Sequence, residues 1–115
     1  MVKKLQRVAM LNDFYGKLLT PKQQEILSYY YEHDLSLGEI AEEFGVSRQA
    51  VHDILKRGEK ILEGYEEKLM LVKKFTIEHD KLNQVLALLE SFDERDPLKE
   101  KIRQVISEIV EIQQE

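Results

Sequence analysis

The stretch that decides the fold covers residues 36–56 and reads SLGEIAEEFGVSRQAVHDILK. Ser36 and Glu39 have the spacing of a capping box, in which each side chain accepts a hydrogen bond from the backbone N–H of the other residue. Gly45 can adopt the left-handed conformation that ends a helix, and Ser47 offers a new N-cap two residues later. The sequence therefore predicts two helices joined by a very short turn.

Two helices joined in this way can pack together only where the facing positions are apolar or small. The positions that meet this requirement are Ile40, Ala41, Phe44, Gly45, Val46, Val51 and Ile54. The pattern is typical of a helix-turn-helix over residues 37–56.

Polar residues occupy the outward face of the second predicted helix. The candidate nucleic-acid-binding residues are Ser47, Arg48, Gln49, His52, Lys56, Arg57 and Lys60. Arg can bond guanine and Gln can bond adenine in a bidentate manner, and a Ser at a helix N-terminus suits a phosphate oxygen. We expect the last three basic residues to lie beside a nucleic-acid backbone. The alternative is an ordinary solvated helix face, which Asp53 and the acidic residues Glu39, Glu42 and Glu43 favour.

Helical signals continue on both sides of this segment. An apolar stripe with helical spacing covers residues 5–18. Thr20 before Pro21, with Gln23 placed to complete a second capping box, predicts a second helix that runs to about residue 33. After Ser47 the pattern continues to Val72, and Gly58 and Gly64 favour a kink or a break in it. Two further helices follow, the last from 98 to about 112. Because no stretch has the pattern of a strand, we predict an all-α fold.

We expect the chain to divide into a helix-turn-helix domain, residues 1–66, and a C-terminal helical extension, residues 67–115. In the last predicted helix the apolar residues step by four and by three, as in a coiled-coil seam. They are Leu98, Ile102, Val105, Ile109 and Ile112. This seam can pack on the first domain or form a homodimer interface, and the spacing alone leaves both open.

Three motifs carry a resemblance to a known family. Residues 19–27 read LTPKQQEIL, residues 36–41 read SLGEIA and residues 45–51 read GVSRQAV, and together they look like sigma factor region 4. With MLNDFYG at residues 10–16 and the acidic helical tail, the chain resembles the YlxM family of small bacterial proteins over nearly its whole length. The resemblance implies a region 4-like helix-turn-helix bundle with additional C-terminal helices.

The YlxM resemblance also implies a function. In many bacteria the family's gene lies beside the genes for the signal recognition particle (SRP) and its receptor, so members are associated with that pathway. Regulation by DNA binding, or contact with the particle's protein Ffh or its RNA, are the functions that the family suggests. Because the upstream promoter-reading domains of sigma factors are missing and the recognition segment is less basic than theirs, we do not expect an ordinary sigma role.

The charge distribution leaves two hypotheses open. The chain has 17 basic and 22 acidic residues, and its net charge of −5 argues against a general polyanion binder. The net charge is positive over residues 1–19, with +3, and residues 47–60, with +2, and negative over the rest of the chain. The first hypothesis is a DNA-binding regulatory protein, with RNA as another nucleic-acid ligand. The second is a protein or RNA interaction module that contacts SRP components through the helix-turn-helix or the acidic tail.

Other classes of protein are not indicated. The three His residues are far apart, and the chain has no phosphate loop, dinucleotide fingerprint or cysteine nucleophile, so we expect neither an enzyme nor a metal or cofactor site. The longest apolar run, Val85 to Leu89, has five residues, far fewer than the roughly 18 that a membrane span requires. The N-terminal stretch lacks the features of a signal peptide. We therefore expect a cytoplasmic protein.

Overall fold

The computed structural model describes residues 2–114, with side chains described for residues 3–113. Over this range the chain forms six α-helices and one turn of 3-10 helix, with no β-strand. The helices are α1 (Val2–Tyr15), α2 (Pro21–Tyr31), α3 (Leu37–Phe44), α4 (Arg48–Leu69), α5 (Leu71–Leu89) and α6 (Pro97–Gln114), and the 3-10 turn covers Gly16–Leu18. The predicted all-α class is confirmed.

Both predicted capping boxes are present. The Thr20 hydroxyl accepts the N–H of Gln23 and the Gln23 side chain accepts the N–H of Thr20, each at 3.2 Å. Ser36 and Glu39 make the same pair of bonds at 3.1 Å. These bonds satisfy N–H groups that a helix start otherwise leaves unpaired, and they fix the first residues of α2 and α3.

Three helix boundaries differ from the predictions. Helix α2 ends at Tyr31 rather than near residue 33, and the following turn contains Asp34 with a left-handed backbone (φ 55°). Helix α4 continues through Gly58 without the predicted break, and the missing side chain there lets α2 approach closely: a Cβ added at Gly58 would be 2.6 Å from Cδ1 of Leu27. The helix ends instead at Leu69, and its C-cap is Met70, whose φ is 56°.

Helices α1 to α4 enclose the main hydrophobic core. Its completely buried aliphatic side chains are Leu11, Ile26, Leu27, Ile40, Val51 and Leu62. Helix α4 contacts α1, α2 and α3, so burial of its inner face determines where its outer face lies. Burying side chains of this size contributes about 1.5–3 kcal/mol each.

The chain divides into two units, the first ending at Val72 and the second beginning at Lys73. This boundary lies six residues after the predicted one, because hydrogen bonds hold residues 66–72 to the first unit. The Tyr15 hydroxyl donates to Glu66 Oε1 at 2.5 Å and accepts the N–H of Leu71 at 3.0 Å. Glu66 Oε1 also accepts the N–H of Val72 at 3.0 Å.

The second unit is a helical hairpin made of most of α5 and all of α6. Leu89 and Ile106 are its only buried apolar side chains among residues 73–113. The Lys99 side chain, 2% exposed, reaches back to the loop and donates to Glu94 at 2.5 Å. At the open end Gln113 donates to Glu78 at 2.8 Å. The hairpin therefore has a small internal core, supported by polar contacts at both ends.

Candidate nucleic-acid interface

The turn between α3 and α4 contains only residues 45–47. Gly45 adopts the predicted left-handed conformation, with φ 64°, and the N–H of Val46 bonds the carbonyl of Ala41 at 3.0 Å. The Ser47 hydroxyl accepts the N–H of Ala50 at 3.0 Å and caps α4. Because polar backbone groups on both sides of the turn are paired, the direction in which α4 leaves α3 is tightly specified.

The residues predicted to join the two helices lie between them or against the core. Ile40, Ala41 and Val51 are buried, and Phe44, Val46 and Ile54 are half-buried and pack against the core. The Phe44 ring is 5.6 Å from the ring of Tyr29 in α2. Helix α3 thus supports α4 from one side while α2 supports both helices.

All seven predicted binding residues are exposed, and most of them share one face of α4. They are Ser47, Arg48, Gln49, His52, Lys56, Arg57 and Lys60. At about 100° per residue, Arg48, Gln49 and Lys56 lie within about 60° of His52 around the helix, and Lys60 lies about 80° away. Arg57 is about 140° away and therefore belongs to the flank of the helix. Ser47 caps the end of the same helix.

A carboxylate lies among these residues. Gln49 Nε2 donates to Asp53 Oδ1 at 3.0 Å, and His52 Nδ1 lies 3.6 Å from the same oxygen. Asp53 thus orients the side chain of Gln49 and lies close to that of His52. It also places a negative charge beside them, which opposes phosphates and would attract a basic group.

The Arg48 side chain lies over the first turn of α3. A Cβ added to Gly38 would be 3.3 Å from Arg48 Nε and 3.4 Å from its Nη2, closer than side chains normally approach. The guanidinium therefore occupies space that a larger residue at position 38 would reduce. We did not predict a role for Gly38. The one indication in the sequence was that a glycine, a poor helix former, stands in the first turn of a helix at a position where it has no capping function.

A second group of charges consists of Lys4, Lys56 and Glu59. Sequence analysis predicted a role for Lys56 but not for Lys4 or Glu59. Glu59 is 3.7 Å from Nζ of Lys56 and 3.9 Å from Nζ of Lys4 in α1. The Tyr31 hydroxyl also donates to Glu59. One carboxylate therefore lies near two ammonium groups from separate helices, which leaves a local excess of positive charge.

The close approach of these charged groups shifts the pKa values of Lys4 and of the neighbouring Tyr31. The Lys56 amine, a hydrogen-bonding neighbour, lowers the pKa of Lys4, while the charge of Glu59 opposes that shift. Burial and the hydrogen bond to Glu59 raise the pKa of Tyr31. Since Lys4 and Lys56 are 52 residues apart in the sequence, no local pattern predicts their meeting; only packing of α1 against α4 brings them together.

Metal-binding clusters and membrane-spanning helices are both absent from the described residues. Among the described residues, no group of three or more His, Cys, Asp or Glu side chains is arranged to hold a metal ion. None of the helices described over residues 2–114 is both long and apolar enough to span a bilayer.

Comparison with known proteins agrees with the geometry. The family model for UPF0122, described as "Putative helix-turn-helix protein, YlxM / p13 like", matches residues 2–115. The chain belongs to the UPF0122 family. It is 46% identical to the UPF0122 protein of Desulforamulus reducens over 116 residues, which cover 99% of each chain. It is 49% identical to the UPF0122 protein of Bacillus cereus strain AH187 over 109 residues, 95% of this chain and 96% of the relative.

The UPF0122 match confirms the YlxM resemblance and the helix-turn-helix assignment. The family's description is that of a helix-turn-helix protein and not of an enzyme. Helix-turn-helix proteins commonly bind DNA by placing the second helix of the motif in the major groove.

Proposed function

We propose that this UPF0122 protein binds duplex DNA with the N-terminal half of α4 in the major groove. Arg48, Gln49 and His52 contact base edges, where Arg favours guanine and Gln favours adenine. Ser47 and Lys56 contact phosphates at the two sides of the groove, and Lys60 contacts the backbone farther along. Helix α3 lies across the backbone, as the first helix of this motif does.

The observation that carries this proposal is the capped three-residue turn, which holds the face of α4 outward. Ser47 caps α4 through Ala50, and Gly45 ends α3 with a left-handed backbone. Arg48, Gln49, His52 and Lys56 are all exposed on that face. A fixed helix that presents long hydrogen-bonding side chains near its N-terminus has the geometry that base reading requires.

The charge balance supports selective rather than general binding. Glu42 and Glu43 are exposed on α3, and Asp53 lies on the face of α4 itself. Sequence-independent affinity comes from neutralising phosphates, so these carboxylates weaken it. Binding then depends on the contacts of α4 to a preferred sequence.

Fluorescence anisotropy with duplexes selected from a random pool tests the proposal. Arg48→Ala should raise the Kd about tenfold, the loss expected for one good base contact. Lys68→Ala removes the same charge from the same helix about 30 Å away and should leave the Kd nearly unchanged. Equal affinity of the wild type and the Arg48 variant for every selected duplex would exclude α4 as the DNA-contacting helix.

A second candidate function is contact with SRP components, through a basic protein or through RNA. Asp53 favours the protein contact, because its carboxylate, which engages Gln49 and lies beside His52 on the exposed face, attracts a basic group and repels RNA phosphates as it repels those of DNA. Asp53→Asn therefore distinguishes binding of a basic protein from binding of nucleic acid. It should tighten DNA binding by removing repulsion and weaken binding of a basic protein by removing an attraction. Parallel titrations with Ffh, SRP RNA and duplex DNA identify the preferred ligand class.

A further inference from the structure

The C-terminal hairpin has a large uncovered apolar face. Exposed apolar side chains follow one side of α5 and its C-terminal loop, and others follow one side of α6. They are Ile77, Val85, Leu88 and Phe92, and Leu98, Val105, Ile109 and Ile112. Leu88 is 67% exposed and Ile112 is 70% exposed. Monomeric soluble proteins rarely expose a continuous apolar surface of this kind.

The two apolar stripes lie on the same face of the hairpin. Ile77, Leu82 and Val85 of α5 and Ile109 of α6 line one groove with a volume of about 290 Å³. The two helices contribute opposite walls of this groove. The exposed side chains of Ile77, Val85 and Ile109 therefore share one apolar surface that runs across both helices.

Most of the predicted seam on α6 is left exposed: Ile102 is half-buried, and the other four residues of the seam are exposed. Ile106 is buried in the hairpin, whereas Leu98, Val105 and Ile112 are exposed and seven residues apart. A seven-residue apolar repeat is the spacing with which one helix packs along another. The repeat therefore fits a helix from outside this hairpin.

We propose that a second copy of the chain covers this face, so that two hairpins form a four-helix bundle in which the α6 helices are antiparallel about a two-fold axis near Val105. Leu98 of each copy then lies opposite Ile112 of the other. The same register places Lys101 within one residue, about 1.5 Å along the helix, of the level of Glu108 of the second copy, twice in the dimer. Lys101 and Glu108 are both exposed, and within the described part of the chain neither has an ion-pair partner.

Charge complementarity favours a second copy in this orientation. In an antiparallel pair Lys101 and Glu108, which lie on the same flank of the seam, attract each other on both sides of the two-fold axis. In a parallel pair each of these residues would face the opposite flank of the partner helix, and the two Lys101–Glu108 pairs would not form. The inference concerns residues 73–115 and is independent of the proposed DNA binding.

Sedimentation equilibrium of the full-length protein tests this proposal. The wild type should have twice the 13.6 kDa mass of one chain at tens of micromolar. Val105→Glu should raise the dimer Kd by roughly 100-fold or more, because two carboxylates would meet at the axis. Ser107→Glu adds the same charge at an exposed position of α6 that is absent from the apolar surface, and it should leave the dimer intact. Far-UV circular dichroism checks that each variant is folded.

A charge exchange tests the register. Lys101→Glu and Glu108→Lys should each weaken the dimer by about tenfold, since each creates two like-charged pairs. The double variant should restore wild-type affinity. A monomeric wild type, as would be found if this face bound a different protein, would overturn the proposal. A dimer unaffected by Val105→Glu would also overturn it, and failure of the double variant to restore affinity would exclude the antiparallel register.

Discussion

The guanidinium of Arg48 lies over Gly38, so that a Cβ at position 38 would come within 3.3 Å of Arg48 Nε. This contact connects the first turn of α3 with the first residue of α4. It indicates that the sequence specifies the position of the Arg48 side chain as well as the angle between α3 and α4. Gly38 leaves room for the Arg48 side chain in the position from which we propose that it binds DNA.

We expect Gly38→Ala to weaken DNA binding about threefold, because the added methyl group displaces the guanidinium by a few tenths of an ångström. The stability of the protein should not fall, since Ala is the better helix former. Gly64→Ala is the matched control, because nothing lies within 4 Å of a Cβ at that position. Anisotropy titrations of both variants measure the effect, and equal Kd values for the two would show that Gly38 does not position Arg48.

Lys4 should extend the DNA contact from α4 onto α1. Its ammonium is 3.9 Å from Glu59, which also lies 3.7 Å from Lys56. Lys4→Gln should reduce the slope of log K against log salt by about 0.9, the value for one phosphate contact. Lys3→Gln removes the same charge from the neighbouring residue, so an identical change in slope for both variants would assign the effect to overall charge.

Gly58→Ala should lower the free energy of unfolding by about 1–3 kcal/mol. The new methyl group would meet Leu27 Cδ1 at 2.6 Å, and Leu27 is completely buried, so the core has little room to adjust. Gly64→Ala should instead raise the free energy of unfolding by about 0.5–1 kcal/mol, because it removes a flexible residue from an open position in the same helix. Urea titration compares them, and equal effects would contradict the close approach of α2 and α4.

Tyr15→Phe should cost about 1–3 kcal/mol of stability. The substitution leaves the buried Glu66 carboxylate without its 2.5 Å donor and the N–H of Leu71 without its acceptor. Tyr65→Phe is the control, because its ring stacks on Tyr15 but its hydroxyl has no partner among the described residues. Equal unfolding free energies for the two variants would show that the Tyr15 hydroxyl does not stabilise the end of α4.

The same tyrosine predicts an alkaline loss of stability. Burial and the hydrogen bond to Glu66 raise the pKa of Tyr15 above its ordinary value of about 10. The folded state therefore favours the neutral phenol. This contribution is complete below pH 10 and is lost as the pH rises through the folded-state pKa. Unfolding titrations from pH 8 to 11 should show a smaller alkaline decline for Tyr15→Phe than for Tyr65→Phe, and parallel declines would contradict this assignment.

The sequence predicted those parts of the fold that local signals encode. The capping boxes at Thr20 and Ser36 and the left-handed Gly45 follow from residue type and spacing, and the structure contains all three. Gly58 was misleading because its helix propensity favoured a break, whereas its actual role is the close approach to Leu27. The end of α4 at Met70 had no glycine to indicate it.

The candidate site also has one part that local sequence signals predict and one part that they do not. The face with Arg48 and His52 follows from helical spacing within one segment. The meeting of Lys4 with Glu59 depends on tertiary packing between α1 and α4, and no short sequence pattern encodes it. The contact of Arg48 with Gly38 depends on the exact path of the turn, which residue types alone do not specify.

Mapping of backbone amide shifts by NMR tests the central claim most directly. Addition of a selected duplex to the full-length protein should shift the amides of residues 45–56 and Lys4 most strongly, with a smaller change across residues 73–115. The same duplex should produce much weaker shifts in the Arg48→Ala protein. Large shifts confined to α5 and α6, with α4 unaffected, would contradict the account and assign binding to the C-terminal hairpin.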